Sequence, residues 1–265
     1  MYETHYHRAG SLADAAGLLA QSDDPKILAG GQTLIPTMKQ RLAAPSDLVD
    51  ISRIEELRGI EKVGNAYVIG AGVRHAEVAT NPSIKGDIPG LAALAGMIGD
   101  PHVRHSGTIG GSVANNDPAA DYPAALLGLD ATVITTKREI AAGDFFTGMF
   151  ETALDDDEII THVRIPVPQT SAYCKFPNPA SRYAMAGVFV AKTADGSPRV
   201  AVTGAGADGV FRATAMEQAL ASNWSPDAVA GITVDASGLL GDIHGSAEYR
   251  SNLVTVMAKR AVAAA

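Results

Sequence analysis

The chain has 265 residues, 46% of them apolar and 19% charged, with a formal net charge of −8. That length fills two compact units or one large one, and an acidic chain without a Lys/Arg-rich run argues against nucleic acid or an anionic membrane as partner. A single cysteine, Cys174, excludes an internal disulfide, and it excludes an iron–sulfur cluster or Cys-based zinc site built by this chain alone.

Ser11 and Asp14 read as a capping box, and Leu12, Ala15, Ala16 and Leu19 continue on one helical face. Lys26–Ala29 is a short apolar strand that breaks at Gly30-Gly31. A helix is expected from about Thr33, with Pro36 inside its first turn, where a missing N–H costs little. Asp47–Ile51 is the next strand, so the first 55 residues read β-α-β. Tyr67–Ile69 reads as a strand and Leu91–Ile98 as an alanine-rich helix. Gly99–Tyr122 is a long polar, glycine-bearing connection, and connections of that length are usually functional or disordered. Ala131–Thr136 and Glu158–Ile165 are strand-like, and Pro166-Val167-Pro168 is the best domain boundary. Beyond it, Ala184–Thr193 and Arg199–Thr203 flank Asp195-Gly196-Ser197-Pro198, a hairpin signature. A last helix carries Tyr249, Leu253, Val256, Met257 and Arg260 on one side. No apolar run is long enough for an integral membrane span, and Met1–Gly10 is polar rather than signal-like, which makes the cytoplasm the expected compartment.

Two segments carry the candidate chemistry. Leu28-Ala29-Gly30-Gly31-Gln32-Thr33-Leu34 stands at a strand-to-helix junction, where positive φ at glycine lets successive N–H groups converge on one anion. By itself the glycine pair is more often a tight turn. Ser106 to Asp121 holds a second pair, Gly110-Gly111, among Thr108, Ser112, Asp117 and Asp121. The hydroxyls of Thr108 and Ser112 and the amides of Gly110 and Gly111 are donors for phosphate, and Asp121 is an acceptor for ribose hydroxyls. Ile109, Val113 and Ala114 would anchor the segment, which favours a binding loop over a solvated one. No P-loop lysine is present. Gly204-Ala205-Gly206-Ala207-Asp208-Gly209 matches a dinucleotide fingerprint in form. Too little chain follows for both halves of a Rossmann fold, so these glycines read as turn and packing residues. His102 and His105 share a helical face without an obvious carboxylate partner, and no metal site or catalytic acid, base or nucleophile stands out.

These motifs, in this order, resemble the FAD-binding (medium) subunit family of molybdenum hydroxylases, which includes the carbon monoxide dehydrogenase medium subunit and the FAD domain of xanthine dehydrogenase. Leu28–Leu34 is similar to the family's A-G-G-x-[ST]-L element, and the basic Met38-Lys39-Gln40-Arg41-Leu42 follows it. Thr108–Ser112 with Asp117-Pro118-Ala119-Ala120-Asp121 is similar to T-I-G-G-S…D-P-A-A-D, and Asp157-Glu158-Ile159-Ile160 to D-E-I-[IL]. Gly245–Arg250 resembles the G-S-A-x-Y-R opening of the last helix. The likeness spans nearly the whole chain.

The resemblance implies an α+β, two-subdomain FAD-binding domain (PCMH-type, not Rossmann) over residues 1–168, divided near residue 55. A small C-terminal domain of a three-stranded sheet with helices would follow over 169–265. It implies that Ile27, Leu28, Ala29, Gly30, Gly31, Gln32, Thr33 and Leu34, with Thr108, Ile109, Gly110, Gly111 and Ser112, grip the pyrophosphate of a non-covalent FAD. Asp117 would line the same site and Asp121 the ribose side. Ile98, Ile160 and Thr161 would make apolar or backbone contacts, with Lys175 near the flavin and Tyr183 beside the isoalloxazine. Gln32 stands where relatives often have histidine, a departure that leaves a backbone grip intact. The implied function is electron transfer inside a heteromeric complex. A molybdenum-cofactor large subunit and a 2Fe–2S small subunit would be partners, in a dimer of heterotrimers, and this chain would act on no substrate alone. A stand-alone FAD-dependent oxidoreductase and a non-redox nucleotide-binding module are the alternatives; a flavin spectrum and co-purification with two other polypeptides separate them.

Overall fold

In the computed structural model, which describes residues 1–265, the chain opens with a parallel three-stranded sheet. Its strands are β1 (His5–Arg8), β2 (Pro25–Leu28) and β3 (Asp47–Asp50), in the order β1-β3-β2. The crossovers are α1 (Leu12–Gln21) and α2 (Leu34–Lys39). Ser11 caps α1 by accepting from the amide of Asp14, and the Asp14 carboxylate accepts from the amide of Gly10 at 2.8 Å. The box is therefore displaced by one residue from the usual reciprocal form. β1 extends the expected β-α-β at its start. Its residues are polar and mostly exposed, so no apolar run announces it. Pairing places it, with Tyr6 opposite Leu48 and His7 2.7 Å from Asp47.

The second sheet begins with the hairpin of β4 (Ile60–Val63) and β5 (Ala66–Gly70). Six short helices follow: α3 (His75–Thr80), α4 (Pro82–Asp87), α5 (Pro89–Gly96), α6 (Pro101–Ser106), α7 (Ile109–Asn115) and α8 (Tyr122–Gly128). Pro82, Pro89, Pro101 and Pro123 lie in first turns, where the lost N–H had no intrahelical partner. Gly99–Tyr122 is thus not an irregular connection. Asp100 caps α6 and Thr108 caps α7 through their side chains, and Asn116 ends α7 in the left-handed conformation. Caps at such short spacing leave too few residues for a helical period, which is why the segment reads as a loop in sequence. β6 (Thr132–Thr135), β7 (Glu139–Ala141), α9 (Ala142–Phe145), the small ribbon of β8 (Phe146–Gly148) and β9 (Glu151–Thr152), and β10 (Ile160–Pro166) complete this part. The antiparallel order is β4-β5-β10-β6-β7.

The third sheet is antiparallel and built on β11 (Thr170–Pro177), β12 (Ala184–Lys192) and β13 (Pro198–Thr203). A two-residue β14 (Phe211–Arg212) extends the expected three strands by one. β12 is buried along its length up to Ala191, because both faces of the sheet are covered. Phe189, Ala191 and Ala201 point into the core shared with α8, while Val188, Val190, Val200 and Val202 point the other way. That second face packs on α10 (Thr214–Ser222), α11 (Pro226–Val229) and α12 (Ala247–Ala264). The buried side of α12 is Leu253, Val254, Met257, Ala258, Ala261 and Val262. Tyr249 and Arg260, expected on the apolar side, are exposed. Leu253 and Met257 lie on the buried side as expected, and the small Ala258 and Ala261 complete the packing stripe. No helix is long and apolar enough to cross a membrane.

Candidate functional site

The two glycine segments meet. A Cβ on Gly30 would lie 2.2 Å from the carbonyl oxygen of Ser106 and 2.7 Å from Cα of Gly107, so the first segment lies directly against the second. Between them and the third sheet opens a cavity of about 790 Å³. Gly31 has φ +69, as the turn out of β2 requires. The backbone N–H groups of Gly30, Gly31, Gln32 and Thr33 find no acceptor within the chain. A run of four uncommitted amides on a cavity wall is an anion-binding surface.

The second segment is built differently. The Gly110 amide donates to the carbonyl of Ala71 at 2.9 Å, and the Gly111 amide to Oγ1 of its cap, Thr108, at 3.1 Å. Both amides expected to meet phosphate are therefore committed inside the protein. Gly110 is required by packing, since its Cβ would sit 2.5 Å from that of Ala71. Only Gly31 of these four glycines has positive φ, so close approach is the main reason for the others.

The far wall carries a buried ion pair. Lys175 on β11 reaches Asp121 at 2.9 Å, with both side chains almost wholly buried. The Tyr173 hydroxyl donates to the other Asp121 oxygen. Burial pushes the Asp121 carboxyl up, while the Lys175 ammonium and the Tyr173 hydroxyl oppose that shift. Asp121 thus lies on the wall as expected but already has a donor on each oxygen, which makes it first of all the anchor of Lys175. Beside it the Asp117 carboxyl is pushed up by burial, and the Tyr183 hydroxyl by burial and by these two carboxylates. Tyr183 stands half exposed at the mouth. Glu158 is fixed by Arg138 at 3.0 Å, by Thr135 at 2.6 Å and by the Asp155 amide at 3.0 Å. Chiefly through Arg138, its carboxyl is held down to about 2. That knot pins the turn from which Ile159 and Ile160 enter the wall.

All the residues expected at the site line this cavity except Ile109 and Thr161. Ile109 is fully buried in the main core, and its amide donates to Val73. Thr161 turns its hydroxyl to the carbonyl of Ile134 at 3.1 Å and accepts the Ala71 amide through its own carbonyl. Each supports the wall from behind. Sequence reasoning missed His75, Val103 and Arg182, which also line the cavity. Nothing periodic marks them. Glu158 carried a signal, as the acidic residue of Asp157-Glu158-Ile159-Ile160. His102 and His105 are exposed on α6, and no group of three or more His, Cys, Asp or Glu is placed to hold a metal. Gly204–Gly209 lies off the cavity: Gly204 packs on Ala184 and Gly206 on Gly209 and Phe211.

Residues 2–168 match the family described as "FAD binding domain in molybdopterin dehydrogenase". The chain belongs to this family. Among members of this FAD-binding family and their subunits, it is 38% identical to the nicotine 6-hydroxylase medium subunit of Paenarthrobacter nicotinovorans, over 97% of this chain and 95% of the relative. It is 34% identical to the carbon monoxide dehydrogenase medium chain of Hydrogenophaga pseudoflava, over 98% and 96%. A chain of reconstituted CO dehydrogenase from Oligotropha carboxidovorans superposes with a TM-score of 0.89 at 35% identity, covering 98% of this chain and 96% of that one. The α+β architecture of an FAD-binding domain of this family, with no Rossmann half, is the one described above.

Proposed function

We propose that the cavity holds FAD non-covalently and that the chain is the electron-transfer subunit of a heteromeric molybdenum hydroxylase. The observation that carries the reading is the set of free amides at Gly30–Thr33, facing a cavity closed by the second glycine segment. They suit a pyrophosphate held by backbone dipoles in a chain of net charge −8. Ser112 adds a hydroxyl from the second segment. Ile27, Leu28, Ile98 and Ile160 offer apolar wall to planar rings. Lys175 presents a charge whose position Asp121 fixes, and Tyr183 covers the mouth. Ile109 and Thr161 support these residues without touching the ligand.

Bound FAD supplies a redox centre able to exchange electrons singly or in pairs; the protein contributes its position and electrostatic setting. No side chain is assigned as acid or base. Residues 1–168, divided near 55, form the cofactor-binding unit, and 169–265 a C-terminal unit that contributes Lys175 and Tyr183. One cysteine cannot ligate an iron–sulfur cluster, so a 2Fe–2S small subunit would deliver electrons from a molybdenum-cofactor large subunit. A cytoplasmic dimer of heterotrimers is the assembly this reading implies.

The test is spectroscopic. The purified chain should be yellow, and acid or heat precipitation should release all flavin to the supernatant, since no cysteine lines the cavity. Colour retained in the pellet would overturn non-covalent binding. A chain that neither retains nor rebinds FAD would overturn the reading itself.

A further inference from the structure

His75, the first residue of α3, is 4% exposed and forms part of the cavity wall next to Gly107, Thr108 and Gly110. Its Nδ1 has no hydrogen-bond partner. A Cβ on Gly107 would lie 2.6 Å from Nε2, so the imidazole occupies the space that the missing side chain leaves. The ring packs against Tyr122, centroids 5.3 Å apart, and the Tyr122 hydroxyl is also buried without a partner. A polar ring this deep, with so little of its hydrogen bonding met by protein, is a group waiting for a ligand atom. Gly107 is also the residue against which Gly30 packs. The imidazole and the free amides that begin at Gly30 therefore approach one point from two sides.

We propose that His75 is a further ligand-binding residue of this cavity, with its imidazole N–H donating a hydrogen bond to a pyrophosphate oxygen of the bound dinucleotide. The inference rests on the FAD reading and adds a side-chain donor to a grip otherwise made by backbone. Burial and the nearby Arg104 guanidinium both disfavour a proton on the ring, so it serves as a neutral donor. Its partner is the phosphate end of the cofactor because Thr108 and Gly110 flank it, while Lys175 and Tyr183 stand on the opposite wall.

The experiment compares the flavin-free full chain with His75→Leu and His75→Asn, titrated with ADP, which carries the pyrophosphate, and with riboflavin, which carries none. His75→Leu should weaken ADP about tenfold or more, as loss of a hydrogen bond to a charged group does, and leave riboflavin unchanged. His75→Asn, which keeps a donor, should recover most of the ADP affinity. In the wild-type chain labelled with 15N-histidine, a ring-nitrogen resonance of His75 should move on adding ADP. That measurement decides the matter if the Leu variant does not fold. Unchanged ADP affinity in a folded His75→Leu chain, an unmoved resonance, or a loss seen only with riboflavin would each overturn the assignment. If the wild type binds FAD and His75→Leu binds ADP equally well, this inference alone fails. If the wild type binds neither FAD nor ADP, the FAD reading fails beneath it.

Discussion

A methyl group on Gly30 would press into the Ser106 carbonyl at 2.2 Å, and neither backbone has a flexible end with which to yield. Gly30→Ala should therefore separate the two segments and cut flavin per folded chain at least tenfold. Gly86→Ala, in open space on α4, should leave flavin content unchanged. Absorbance ratios of the purified variants check both. The same reasoning applies to Gly110→Val. Its first collision is with Ala71, so folding suffers together with binding, and Gly206→Val, 2.3 Å from a carbonyl, is no gentle control for folding. Titration gives a second handle. His75 is lowered to about 4 by burial and by Arg104, against an ordinary 6.5. As pH falls, the unfolded chain takes up this proton first. The stability His75 permits is complete above about 6.5, declines down to about 4 and is then flat, for at most about 3 kcal/mol. Glu158, held down to about 2 from 4.5, contributes stability that is complete above about 4.5 and lost as pH falls from there to about 2. Urea denaturation at pH 7 and pH 5 should show a smaller pH loss in His75→Asn than in the wild type; equal losses would contradict the assignment. At this scale the glycine segments were readable because glycine pairs are rare punctuation. A lone histidine after a strand has no pattern to betray it, and which amides stay free is a property of the folded backbone.

Arg250 shows how a whole element is tied to the site. It is 4% exposed on α12, and its guanidinium donates to the carbonyls of Met185 at 2.8 Å and Gly204 at 2.9 Å and to Asp242 at 2.7 Å. Gly204 in turn donates its amide to the Pro118 carbonyl at 2.8 Å, and Thr203 donates its hydroxyl to Ala120. The chain from Asp117 to Asp121 is thereby fastened to the third sheet and, through Arg250, to the last helix. Arg250→Met should leave the Met185 and Gly204 carbonyls without this donor, at about 1–3 kcal/mol each, while half-exposed Asp242 turns to water. Arg250→Lys should recover only part, because one ammonium nitrogen cannot serve both carbonyls and also reach Asp242 as the second guanidinium nitrogen does. Denaturant midpoints at constant slope check this, and a cost below about 1 kcal/mol would show that the bridge is incidental. Element by element, the sequence was most readable where a long period or a definite turn exists. The hairpin at Asp195–Pro198 is there, with Gly196 at φ +89. It was least readable for α6 and α7, which are too short for a period, for polar β1, which only pairing defines, and for α12, where alanines share the packing stripe with Leu253 and Met257.

The third sheet decides how the molecule behaves as a whole. Residue by residue, β12 and β13 send side chains alternately into the main core and into the core beneath α12, so Lys175 and Tyr183 are carried to the cavity by a sheet clamped on both faces. The β-branched run of β12 shows a buried strand in sequence, but which elements cover each face follows only from the order in which the sheets stack. The relatives carry the names of nicotine and carbon monoxide enzymes, yet this chain matches each over 97% or more of its length. On the proposed reading, substrate choice belongs to another polypeptide and this chain's cavity would serve the cofactor. The isolated chain should bind FAD and hydroxylate nothing, whether offered carbon monoxide, a purine, an N-heterocycle or an aldehyde. Adding the iron–sulfur and molybdenum subunits should restore substrate-dependent bleaching of the flavin, followed at its visible absorbance. Each turnover requires an electron path into the cavity that one half-buried cysteine cannot build. Substrate turnover by the lone chain, shown free of molybdenum and iron by elemental analysis, would refute the subunit reading and leave a self-sufficient flavoenzyme in its place.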